Sequence, residues 1–239
     1  MLITGAARRL GAAMVKFFHQ QGYSIILHYR NSKAQAEALA AELNAKRSDS
    51  VKLIRADFAK DINYETWLSD AIGDWGRLDV LINNASGFYP SKLGAIAAEN
   101  CYDLFASNAQ APLLLSQAAL PYLNKSNGSV VNIIDIHGIK PLKDYIAYSM
   151  AKASLHMLTL ALARECAPTV RVNGVAPGSI LWPEDSNELS TQQQTKLLSK
   201  IPLARQGKVE EIITTVNYLI SAEYVTGEII AVDGGRLLG

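Results

Sequence analysis

Seven short apolar runs punctuate the chain: Met1–Thr4, Ser24–His28, Val51–Arg55, Leu78–Ile82, Ser129–Ile134, Val170–Val175 and Glu228–Val232. Stretches with helical periodicity separate them: Leu10–Gln21, Lys33–Lys46, Tyr64–Trp75, Tyr102–Leu123, Tyr148–Ala167 and Val209–Ser221, with a short helix expected near Gln192–Ser199. The runs are mainly apolar, not apolar at every second residue, which is the pattern of a strand covered on both faces. Strands that alternate with helices connect by right-handed crossovers and lie parallel. The reading is an α/β fold, a doubly wound parallel sheet of seven strands with helices on both faces. No internal repeat or linker divides the 239 residues, so residues 1–239 are read as a single domain.

Composition narrows the function classes. Lys and Arg number 23 against 22 Asp and Glu, a net charge of +1. A nearly neutral chain carries no electrostatic footprint for nucleic acid or an anionic membrane surface. No stretch is expected to supply the roughly 18–20 apolar residues of a membrane span. The N-terminus, MLITGAARRLG, has its arginines after the apolar run, the wrong order for a secretory signal. It also starts abruptly, with Met1 already in a strand-like run. A reducing, cytoplasmic setting is expected. Cys101 and Cys166 make neither a disulfide framework nor a zinc pattern and are read as packed thiols; no metal site is expected.

The first run leads into Thr4-Gly5-Ala6-Ala7-Arg8-Arg9-Leu10-Gly11. Gly5 permits a tight turn, Ala6 and Ala7 let backbone approach a ligand, and Gly11 allows close helix–strand packing. The helix N-terminus then offers free N–H groups and a partial positive charge to a pyrophosphate. After the second run stands His28-Tyr29-Arg30-Asn31-Ser32-Lys33, with no acid to accept the ribose 2′-hydroxyl. Arg30 and Ser32 suit a 2′-phosphate instead, so the cofactor is read as NADP(H), here NADPH as reductant. Asp57, after the third run, is placed either to accept from an adenine amino group or to cap the next helix.

Tyr148 and Lys152 are four residues apart in a helical segment and share one face. An ammonium beside a phenol favours the ionised phenol and lowers its pKa, tuning it as a proton donor to accompany hydride transfer. This segment follows the fifth run, whose carboxyl end lines the crevice of an open α/β sheet. His156, one turn on, is read as packed or capped.

Thr4-Gly5 with Gly11, Asp57, Asn83-Asn84-Ala85, Asn108, Tyr148-xxx-Lys152, Pro177-Gly178 and Val232-Asp233-Gly234-Gly235 together resemble the short-chain dehydrogenase/reductase family over the whole length. The resemblance implies a Rossmann-type domain, hydride transfer from a nicotinamide, Tyr148 as acid, Lys152 on the ribose and Asn108 holding a proton-relay water. It places the cofactor on Gly5, Arg9, Leu10, Tyr29, Arg30, Asn31, Ser32, Asp57 and Phe58. It adds Asn84, Ala85, Ser86, Tyr148 and Lys152, and the loop from Pro177 through Gly178, Ser179 and Ile180. It also implies a homotetramer joined through the long helices.

Three departures concern the substrate. Asp135 stands where the family has a serine, thirteen residues before the tyrosine. A carboxylate would repel an oxyanion developing from a carbonyl. A carboxyl suits a C=N bond, whose nitrogen needs a proton as the neighbouring carbon takes hydride; the plainer alternative is an ion pair with Lys152 or Arg9. Arg9 replaces a glycine beside the pyrophosphate and can reach towards a substrate's carbonyl or ring nitrogen. Ser86 replaces another glycine, and Phe88 follows, either to cover a flat heterocycle against the nicotinamide or as core filler.

These departures resemble the pteridine reductases, in Thr4–Gly11, His28–Ser32, Asn83–Pro90 and Asp135 with Tyr148–Lys152. The resemblance implies NADPH-dependent reduction of pterins, and sometimes of folates such as dihydrofolate, to tetrahydro forms such as tetrahydrobiopterin. Arg9, Ser86, Phe88, Asp135 and Tyr148 would shape the pterin site. Dihydromonapterin reductases share related features, and the choice among side chains is expected in the long 178–191 loop. The alternatives are a carbonyl or 3-oxoacyl reductase of the same family, which the missing serine disfavours, and a non-catalytic NADP(H)-binding sensor.

Overall fold

The computed structural model describes residues 1–182 and 190–239. Its elements are β1 (Leu2–Ile3), α1 (Arg9–Gln20), β2 (Ile25–Tyr29), α2 (Lys33–Asn44), β3 (Val51–Arg55), α3 (Tyr64–Ile72), β4 (Val80–Asn83), α4 (Ala98–Phe105), α5 (Ala111–Ser126), β5 (Ser129–Ile133), α6 (Ile146–Glu165), β6 (Arg171–Pro177), α7 (Thr191–Leu198), α8 (Val209–Ser221) and β7 (Ile229–Val232). The strands form one parallel sheet in the order β3-β2-β1-β4-β5-β6-β7. That is a Rossmann-type arrangement with helices on both faces, as the alternation of runs and helices predicts.

On the central strands β1, β2, β4 and β5 neighbouring apolar residues enter opposite cores, which is why these runs are apolar on both faces. Ile3, Ile25, Leu27, Val80, Ile82 and Val131 pack with Phe18 of α1, Leu39 of α2 and Val216 of α8. Leu2, Ile26, Leu81, Val130 and Val172 pack on the other side with Leu68 of α3 and Leu115 of α5. Burying each such side chain contributes on the order of 2 kcal/mol, so a polar residue at any of these positions would cost one core or the other.

Two boundaries differ from the sequence expectation. β1 is only two residues long; the Thr4 N–H still donates to Ile82 O at 3.0 Å, and the chain then turns, with the Thr4 hydroxyl accepting the N–H groups of Asn84 and Ala85, both at 2.9 Å. The fourth helical stretch is interrupted: α4 ends at Phe105, a π-helical segment runs over Ala106–Gln110, and α5 follows.

α6 is, by length and composition, long and apolar enough to cross a membrane, contrary to the sequence expectation. Length and composition are weak evidence, since a core helix passes the same test, and here Ala147, Tyr148, Ala151, Lys152 and Leu155 of α6 are buried in the protein.

The strand order reverses between β1 and β4. The turns leaving their carboxyl ends diverge there and open a crevice.

Candidate active site

The turn after β1 is held from three sides. Gly5 has φ +60°, and a Cβ on it would lie 2.8 Å from Ala85 Cα, so only glycine fits. Asn84 donates from Nδ2 to the carbonyls of Thr4 and Gly5, at 2.9 and 3.1 Å. His28 Nδ1 accepts the N–H of Gly5 at 3.1 Å, while Nε2 faces Ala56 O at 3.2 Å. Those partners fix the ring as the neutral Nε2–H tautomer, and burial pushes its pKa down to about 4. α1 begins with no capping side chain and no acid in its first turn, leaving its N–H groups for an anion. Arg9 takes the left-handed φ of +52°, and its Nη2 donates to Trp182 O at 2.8 Å, tying this turn to the segment after β6.

A cavity of about 310 Å³ extends from the turn over the ends of β2 and β3. Gly5, Tyr29, Arg30, Asn31, Ser32, Asp57, Phe58, Ala85 and Ser86 line it, all of them residues the sequence selects for the cofactor. Asp57 Oδ1 accepts the N–H of Ala59 at 3.2 Å, a local turn and not a helix cap. The Phe58 side chain is buried, its ring stacked 4.4 Å from His28. An acid does reach the β2 end, but from α4: Asp103 Oδ1 lies 3.9 Å from Arg30 Nη1, an exposed pair of little energetic weight.

A larger cavity, about 750 Å³, shares Gly5, Arg8, Ala85 and Ser86 with the first and continues over β5 and β6. Arg9, Leu10, Asn84, Ser86, Phe88, Asp135, Tyr148, Gly178 and Ser179 line it, so the five residues selected for the substrate share one wall system. The Tyr148 hydroxyl donates to Asp135 Oδ2 at 2.7 Å, and the His137 N–H donates to Oδ1 at 2.8 Å. Phe88 stacks on Tyr145 at 4.7 Å and meets Tyr148 edge-on at 4.9 Å, so it packs on the buried cluster of Leu104, Ala147 and Tyr148 and also forms cavity wall.

The phenol corrects one expectation. Burial, then the charge of Asp135 and the hydrogen bond to it, push the Tyr148 pKa well above its usual value. Lys152 does not offset this. Its Nζ donates to Ile133 O at 3.0 Å and lies 5.8 Å from the Tyr148 ring centre. Burial lowers the Lys152 pKa to about 8, with Asp135 opposing. The alternative of an ion pair between Asp135 and Lys152 is not what forms.

Some selected residues stand behind the cavity walls. Lys152 and Asn108 are fully buried. Asn108 sits in the π-helical segment, where Nδ2 donates to Leu104 O at 2.9 Å and Gly87 O at 3.0 Å, and Oδ1 accepts from Ser86 Oγ at 2.7 Å. Its side chain therefore clamps the 86–88 turn instead of facing the cavity. Pro177 pairs with Val232 in the sheet, and Ile180 packs into the core beneath α1. Of the 178–191 loop, residues 183–189 lie outside the described residues. His156 is half-buried, its Nδ1 without a partner among the described residues. Sequence reasoning missed Arg8, which lines both cavities, the His28 clamp, and Arg236, which lines the larger cavity. Arg8 stands in the turn already singled out and His28 in a quoted motif; nothing in the sequence separated Arg236 from an ordinary surface arginine.

Comparison with known proteins places the chain. The family described as Enoyl-(Acyl carrier protein) reductase matches residues 5–236. Pteridine reductase 1 of Leishmania tarentolae is 37% identical over 279 aligned residues, covering 99% of this chain and 96% of that protein. The 3-oxoacyl-[acyl-carrier-protein] reductase FabG of Staphylococcus aureus strain Mu50 is 33% identical, covering 99% and 97%.

Proposed function

Since the chain belongs to the short-chain dehydrogenase/reductase family and is an oxidoreductase, we propose that it is an NADPH-dependent pteridine reductase. The observation that carries this reading is the 2.7 Å hydrogen bond between Tyr148 and Asp135 inside a cavity also walled by Phe88. The identity to a pteridine reductase supports it.

The donor set fits NADPH. Arg30 and Ser32 would hold the 2′-phosphate, the uncapped start of α1 with Arg8 and Arg9 the pyrophosphate, and Asp57 the adenine. When bound, the cofactor supplies the hydride. Reduction of a C=N bond needs in addition one proton on the nitrogen. With its pKa raised, Tyr148 keeps its proton and holds Asp135 by donating to it. On this reading the Asp135 carboxylate takes up a proton from solvent and gives it to the ring nitrogen as hydride reaches the neighbouring carbon, returning to the charged form that Tyr148 holds. Phe88 covers the flat ring, and Asn108 keeps Phe88 in place through the 86–88 turn. Asn108 and Lys152 are on this reading positioning residues.

A carbonyl or 3-oxoacyl reductase is the second reading, favoured by the FabG likeness. The two are separated by following NADPH and NADH oxidation with dihydrobiopterin, dihydrofolate, a simple ketone and a 3-oxoacyl thioester. Turnover of the dihydropterins with NADPH is expected. Turnover of only the ketone or thioester would overturn the pteridine reading, and equal rates with NADH the cofactor reading. Tight NADPH binding with no turnover of any of them would favour a non-catalytic sensor.

A further inference from the structure

β7 ends at Val232, and the chain turns back towards the cavity through Asp233-Gly234-Gly235. Both carboxylate oxygens of Asp233 are used here, accepting the N–H groups of Gly235 and Leu237, each at 2.8 Å. Gly234 and Gly235 take left-handed φ values of +66° and +86°, and this turn packs on Ile201 and Pro202. The backbone of Arg236 is thereby fixed at the start of a single helical turn, Arg236–Leu238.

The Arg236 side chain is half-buried and lines the same cavity as Asp135, Phe88 and Tyr148. Among the described residues its guanidinium makes no hydrogen bond and no ion pair. Asp135 and Asp233 are the acids near enough to oppose the effect of burial on its charge. Neither accepts a hydrogen bond from it: the partners of Asp135 are Tyr148 and His137, and those of Asp233 are the N–H groups of its own turn. A guanidinium is a planar fork of five donors, and holding it half out of water without an acceptor is unfavourable. An acceptor from the ligand would satisfy it. Leu181, Trp182 and Leu197 supply apolar wall in the same cavity, suited to a flat linker between a bound ring and Arg236.

We propose that Arg236 is a specificity-determining residue that receives a carboxylate at the far end of the substrate. The cavity would then favour pterins that carry an aromatic linker ending in an acid, as folates do, over pterins whose side chain ends in hydroxyl groups. This rests on the pteridine reading, and it adds a second polar anchor beyond Asp135.

The test compares kcat/KM for dihydrofolate and for dihydrobiopterin, with NADPH, in the wild type and in Arg236→Gln and Arg236→Lys. A lost charge-assisted hydrogen bond should lower the dihydrofolate-to-dihydrobiopterin ratio about ten- to a hundredfold in Arg236→Gln. The loss should fall mainly on the dihydrofolate KM, with partial recovery in Arg236→Lys. A ratio within twofold of wild type, whether both substrates suffer equally or neither does, would overturn the carboxylate role while leaving the pteridine reading intact. So would a wild type that reduces dihydrobiopterin but not dihydrofolate. A wild type that reduces neither would overturn the pteridine reading, and this inference with it.

Discussion

His28 carries structural weight out of proportion to its place in a quoted motif. Its ring joins the Gly5 N–H to the end of β3 and can do so only when neutral, because Nδ1 must accept. Its pKa of about 4 lies below the ordinary histidine value of 6.5. Between those values the unfolded chain binds a proton that the folded chain does not, so stability falls as pH drops from about 6.5 to about 4. The loss attributable to this group approaches roughly 3 kcal/mol. Chemical denaturation at a series of pH values should show that slope, and His28→Asn should flatten it. An unchanged slope in the variant would contradict the neutral clamp. Tyr148 shows the limit of reading such groups from spacing. The four-residue interval placed Lys152 on the right face, yet burial and the facing Asp135 outweigh it and raise the phenol's pKa.

At the scale of elements, the turn after β1 is rigid because its neighbours leave no alternative. A methyl group at residue 5 would both enter left-handed φ and press on Ala85 Cα. Gly5→Ala should therefore cost about 1–3 kcal/mol of stability and weaken NADPH binding, read together by thermal denaturation and fluorescence titration. A variant with wild-type melting and affinity would contradict the close approach. The strand–turn–helix unit was legible because its small residues have a local cause. The π-helical segment at Ala106–Gln110 was not: the stretch reads as one helix, and the interruption accompanies Asn108 reaching across to Gly87 O and Ser86, contacts that no periodicity records. Arg236 was missed for a similar reason, since its position depends on where the turn after β7 packs against Ile201 and Pro202.

At the scale of the molecule, apolar runs buried on both faces dictated a parallel sheet covered by helices, and the carboxyl ends of its strands gathered the selected residues into two adjoining cavities. α5 and α6 leave Leu113, Met150 and Met157 exposed, along with Tyr102 of α4. We propose that these faces join copies of the chain into a homotetramer. Light scattering should then give about four times the 26.0 kDa chain mass, and the mass of one chain would contradict it. The proposed pteridine reading turns on the carboxyl at residue 135, which on that reading would direct the fold towards a C=N bond. The most direct measurement is the kcat of Asp135→Ser with NADPH on dihydrobiopterin and on a simple ketone. Pterin turnover should fall by about a hundredfold or more, the scale of a lost general acid, while ketone turnover holds or rises. Pterin turnover equal to wild type would contradict the proton-donating role of Asp135.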